Sequence, residues 1–142
     1  MDEGKISDFY QSGWQLRFMK KRKKQSQIYG KELILDLYDC DEKIISSRKE
    51  LSRYIKELCD LIKMRRYKKA IIEKFGFGKD FTKGFSFIQL IETSSIVGHV
   101  SELWKRVFIN IFSCGDFDEK KAAEFTKNFF RAKKVKKRVL IR

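Results

Sequence analysis

Proline is absent from this chain, histidine occurs once, at His99, and cysteine occurs three times, at Cys40, Cys59 and Cys114. The lack of proline rules out a polyproline segment or a Pro-rich linker between domains. Three cysteines so far apart, with a single histidine, cannot supply the ligand spacing of a zinc site, so no metal is expected. They do not form a disulfide framework either, and they fit a reducing, cytoplasmic setting. No apolar run approaches the roughly 20 residues of a membrane span. The first residues, with Asp2, Glu3 and Asp8, lack the basic-then-apolar order of a signal peptide. The expectation is a cytoplasmic protein with no membrane partner.

What is present is apolar and basic. Hydrophobic residues make up 42% of the 142 positions, with 13 Phe among them, which is enough for a packed core in one domain. Thirty-three Lys and Arg against 19 Asp and Glu leave a net charge of +14, a balance that raises nucleic acid as a partner. The excess is gathered in runs at 20–24, 63–69 and 133–138, while the segment around His99 is nearly neutral. These runs read as solvated tails and faces, and nucleic-acid binding is expected to be weak and salt-dependent at most.

Residues 1–28 show no clear period and read as a basic N-terminal extension that docks through Phe9, Tyr10, Trp14 and Phe18. A domain is expected over 29–142. The apolar run 32–38 suits a strand, and the spacing of Ile44, Ile45, Leu51, Ile55, Leu58, Leu61 and Ile62 predicts one long helix from Asp41 to about Met64. Three strands follow at 69–77, 85–93 and 106–112, separated by Gly76, Gly78, Gly84 and the Gly98 region. A second helix over 116–130 and a strand over 135–141 close the chain. This order predicts an α+β fold, an antiparallel sheet with two helices on one face. Its other face needs a cover, and a homodimer of sandwiched sheets supplies one.

The candidate chemistry lies in Phe85-Ser-Phe-Ile-Gln-Leu-Ile-Glu-Thr-Ser-Ser-Ile-Val-Gly-His99. Ser94, His99 and, fifteen residues on, Cys114 are a nucleophile, a general base and a thiol acid. On these residues alone, a histidine buried in a core and a structural thiol explain the pattern as well.

The residues resemble a family, the pyruvoyl-dependent S-adenosylmethionine decarboxylases of the short bacterial and archaeal class, over about 29–141. Tyr29-Gly-Lys-Glu-Leu-Ile-Leu-Asp-Leu-Tyr-Asp-Cys-Asp41 is similar to the family's opening strand and turn. Ser94-Ser-Ile-Val-Gly-His99 resembles its self-cleavage segment, and Phe112-Ser-Cys-Gly115 the strand end that presents its thiol. Ser86 lies eight residues before Ser94, His99 five after it and Cys114 fifteen after His99, so four positions agree together.

The resemblance implies a self-processing enzyme of spermidine and polyamine synthesis. Ser94 would attack the Thr93 carbonyl with help from Ser86, and His99 would remove the Ser94 α-proton. The chain would part between Thr93 and Ser94, leaving a pyruvoyl group on the second fragment as its covalent cofactor. That ketone would condense with the substrate amine and serve as an electron sink, with Cys114 as proton donor. The chain departs from the family in three places. Thr93 stands where glutamate is usual, Ser95 where a second histidine is common, and Val100-Ser-Glu-Leu-Trp104 where Thr-Trp-Pro-Glu is common. Glu102 and Trp104 are the expected substitutes in substrate binding, and Asp36 and Asp39 suit a cationic substrate. The alternatives are the same chemistry on ornithine or arginine, and a catalytically silent relative that regulates an active partner.

Overall fold

The computed structural model describes residues 27–142; the extension up to residue 26, with its aromatic residues Phe9, Tyr10, Trp14 and Phe18, lies outside the described residues. The elements run β1 (Lys31–Tyr38), α1 (Glu42–Ile45), α2 (Arg48–Leu61), β2 (Ile71–Phe75), a 3-10 turn (Asp80–Thr82), β3 (Gly84–Ile91), β4 (Ser94–Ser101), β5 (Arg106–Ser113), α3 (Glu119–Phe129) and β6 (Lys134–Ile141). The six strands form one antiparallel sheet in the order β2-β3-β4-β5-β1-β6.

Alternation along the strands builds the core on one face. Leu33, Leu35 and Leu37 of β1, Ile96 of β4, and Val107, Ile109 and Ile111 of β5 are fully buried. Against them α2 sets Leu51, Tyr54, Ile55 and Leu58, which fall on one side of the helix at three- and four-residue spacing. Tyr54 is the centre of this layer, with the rings of Phe87, Phe125, Phe129 and Phe130 around it. Its hydroxyl lies 2.9 Å from Thr126 Oγ1, which itself donates to the Ala122 carbonyl. The buried phenol therefore donates to Thr126 and leaves no polar atom stranded.

The α+β expectation of an antiparallel sheet is borne out, and two details of it are corrected. The single helix from Asp41 is two, because Ser47 takes an extended conformation and its hydroxyl accepts from Glu50 N–H, opening a new helix. Serine competes with the helical backbone in this way, and the apolar period running on across the break conceals it. The sequence order strand, helix, three strands, helix, strand also omits a strand. Ser94–Ser101 is not a separator at Gly98 but a full strand between β3 and β5. Gly98 is needed there because the Phe87 ring lies against it; a Cβ would sit 2.0 Å from Phe87 Cζ. Close packing, not a chain break, explains that glycine.

The opposite face of the sheet is open. Ile71, Phe75 and Leu90 are more than half exposed on it, beside the partly exposed Ile34, Ile88, Val97, Phe108 and Phe112. No helix among the described residues is long and apolar enough to cross a membrane.

Candidate active site

Register divides the expected site into two rows across the sheet. The first row runs Ile91–Ser94–Ser113–Lys31–Ile141 from β3 to β6. The second runs Glu73–Ser86–His99–Phe108–Asp36–Lys136 from β2 to β6. Along β4 the rows are five residues apart, from Ser94 to His99. At a strand rise of about 3.3 Å per residue this is roughly 17 Å, and an odd separation puts the two sets of side chains on opposite faces. Ser94 and Ser113 are buried on the helix side, whereas His99 is exposed on the open side.

At the first row, β3 and β4 are joined by a two-residue turn, Glu92–Thr93, that places the Thr93–Ser94 bond at a hairpin tip. Thr93 has φ +54°, in the left-handed region that a β-branched residue enters only under constraint. Its carbonyl accepts from Cys114 N–H at 3.4 Å, and its Oγ1 lies 2.6 Å from Cys114 Sγ. Ser94 Oγ donates to Ser113 Oγ at 2.8 Å, and Ser113 Oγ also accepts from Gly115 N–H at 2.9 Å. Lys31, next to Ser113 across the sheet, donates to Asp116, the Phe117 carbonyl and Glu119. Burial works against its charge, but the hydrogen bonds to Glu119 and Asp116 prevail and hold its pKa above the ordinary value. Lys31 thereby pins the loop that carries Cys114. Burial raises the Glu92 carboxyl pKa, with Arg65 opposing it.

At the second row, Ser86 Oγ lies 2.9 Å from His99 Nδ1, a cross-strand pair that fixes the imidazole. With Ile71, Glu73, Phe75, Ile88 and Val97 the pair lines an open concavity of about 260 Å³. Asp36 belongs to the same row, two strands away. At this end of the sheet Trp104 stacks on Phe81 with ring centroids 4.9 Å apart, and Arg106 lies over the indole. Glu102 does not join them: it is 2.7 Å from Lys74 Nζ and borders a pocket with Glu42, Ile45 and Ser46 on the helix side. Among the described residues there is no group of three His, Cys, Asp or Glu side chains able to hold a metal ion.

The structure thus joins Thr93, Ser94 and Cys114, joins Ser86 and His99, and keeps the two groups apart in one chain. The model of the S-adenosylmethionine decarboxylase family matches residues 31–142, a span that holds both rows. The chain belongs to the S-adenosylmethionine decarboxylase family. The S-adenosylmethionine decarboxylase proenzyme of Saccharolobus islandicus is 30% identical over 89 residues, covering 63% of this chain and 67% of the relative. That of Saccharolobus solfataricus is 28% identical over 89 residues, covering 63% and 66%. The adenosylmethionine decarboxylase of Aquifex aeolicus has the same fold, with a TM-score of 0.70 over 82% of this chain and 92% of that one, at 16% identity. The expected family and its decarboxylase class are therefore borne out.

Two residues of this S-adenosylmethionine decarboxylase family member escape sequence reasoning. Ser113 stands beside the expected thiol, but only the β4–β5 register shows it opposite Ser94. Lys31 reads as an ordinary strand-end charge until the fold brings Asp116 and Glu119 to it.

Proposed function

We propose that this chain is a pyruvoyl-dependent S-adenosylmethionine decarboxylase of polyamine synthesis that cuts itself between Thr93 and Ser94. The decarboxylase unit spans 29–142, with 1–28 as an extension. The observation that carries this reading is the hairpin tip. A constrained Thr93 holds its carbonyl on the Cys114 N–H, and the residue joined to that carbonyl, Ser94, carries the hydroxyl that would attack it.

The chemistry follows from the residues present. Ser94 Oγ adds to the Thr93 carbonyl carbon, and the oxygen that gains charge is the one bonded by Cys114 N–H. Collapse breaks the Thr93–Ser94 amide and leaves an ester. A base then takes the Ser94 α-proton, and Thr93 leaves as a carboxylate that keeps the former Ser94 Oγ. The resulting dehydroalanine becomes an imine, and water releases ammonia to give a pyruvoyl end. The turn fits that group, since Ser94 is buried and Cys114 adjoins it. When present, the group supplies an electron sink for loss of carbon dioxide. Cys114, partly exposed beside the cut, returns a proton to the substrate carbon.

The base is the remaining part, and His99 of the same chain is about 17 Å along the strand from Ser94. A second copy laid on the open face solves this. A two-fold axis across the strands through the middle of β4 sets the Ser86–His99 pair of one copy over the hairpin of the other. The same packing covers the apolar open face and brings Asp36 and the Phe81–Trp104 stack to the shared site. Asp36 suits the positive charge of the substrate, and the exposed aromatic pair suits a nucleobase.

Intact-mass analysis under denaturing conditions tests the reading. Two fragments meeting at Thr93 and Ser94, the second with a pyruvoyl end, are expected, together with carbon dioxide release from S-adenosylmethionine. One chain persisting through long incubation would overturn it, and release from ornithine or arginine alone would move the substrate.

A further inference from the structure

Thr93 occupies the position before the cut, and its side chain is fully engaged. Its Oγ1 donates to the Glu92 carbonyl at 2.7 Å, which uses the one proton a hydroxyl carries. In the 2.6 Å contact with Cys114 the thiol is therefore the donor and Thr93 Oγ1 the acceptor. On the main chain the direction reverses, with Cys114 N–H donating to the Thr93 carbonyl. Two hydrogen bonds of opposite sense thus tie one residue to the other across the hairpin. They hold a β-branched residue in a conformation it does not choose unaided.

We propose that the Thr93 hydroxyl is a latch that engages the Cys114 thiol while the chain is intact and releases it when the Thr93–Ser94 bond is cut. The release follows from connectivity. Once Ser94 no longer follows it, Thr93 is a chain end, no longer tethered to β4 and kept in place only by its two hydrogen bonds to Cys114. Thr93 moves away with its new carboxylate, and the sulfur is left free beside the new end of β4. The thiol that must later give up a proton is thereby withheld from chemistry until the site that needs it exists. Thr93 is a positioning residue in this scheme, acting through Cys114 and the scissile carbonyl. The proposal rests on the reading that this bond is cut, but the latch belongs to the uncut chain and is testable there.

The test uses the full chain with Ser94→Ala, which cannot cut itself, and follows alkylation of Cys114 by iodoacetamide with peptide mass mapping. Cys40 and Cys59 are buried, with thiol pKa values pushed up to about 12, so labelling at Cys114 stands apart. Adding Thr93→Val, which keeps the shape and removes the hydroxyl, is expected to speed labelling about three- to tenfold. Adding Thr93→Ser, which restores a hydroxyl, is expected to return the slow rate. Equal rates in Ser94→Ala with and without Thr93→Val would overturn the latch. Should the Val variant fail to fold by circular dichroism, the wild-type chain labelled before and after cutting decides: faster labelling after the cut supports the latch, and no change sinks it. A wild-type chain that never cuts removes the reading above but leaves the Ser94→Ala comparison intact.

Discussion

The two ends of β4 are built to different standards. At the Ser94 end the hydroxyls, the thiol and the amine are committed: Ser94 to Ser113, Ser113 to Gly115, Thr93 to Cys114, and Lys31 to the loop beyond. At the His99 end one hydrogen bond between Ser86 and the ring holds an exposed imidazole beside an open apolar concavity. The first end is preorganised within a single chain, as the proposed cut requires, because a carbonyl and its donor have to be aligned before charge develops. On the proposed shared-site reading the second is half a site. In the proposed mechanism it offers a base with nothing in its own chain to act on, and it lies on the face that also leaves Ile71, Phe75 and Leu90 in water.

Four experiments break or sharpen that contrast. Ser94→Ala has the largest expected effect, with no cleavage by mass and no carbon dioxide release. Next, a Ser94→Ala chain and a His99→Ala chain are each expected to be inactive alone, the second stalling as an ester that hydroxylamine opens. Co-expressed, they form mixed pairs in which one intact hairpin meets one intact histidine, so the His99→Ala chain is expected to be cut. If it stays whole, the two ends work within one chain and the shared site is wrong. Gly98→Ala, next to His99 on the same strand, forces a methyl into the Phe87 ring and is expected to cost about 1–3 kcal/mol in a urea melt. Smallest is Ser86→Ala, which leaves His99 in place but unanchored. Cleavage is expected to slow about three- to tenfold, the value of one hydrogen bond, measured by fragment mass against time.

How the site reads from sequence depends on the residue. Ser86, Ser94, His99 and Cys114 are visible through their spacing, since a family keeps the separations its chemistry requires. The spacing cannot say that Ser94 and His99 point to opposite faces, because that follows from both lying on one strand, and Gly98 disguises the strand. Glu102 shows the same difficulty in reverse. Its place near His99 suggests a shared role, yet Lys74 draws it to the helix side.

The sequence alone determined the antiparallel α+β class, through apolar alternation and helical spacing, and it determined the chemical parts, because nucleophile, base and thiol are residue identities. Only the tertiary structure decided which parts meet. Strand register, set by long-range pairing, brought Ser113 and Cys114 to Ser94 and Ser86 to His99. The pleat then separated the two groups, since each residue along a strand reverses the face that its side chain takes.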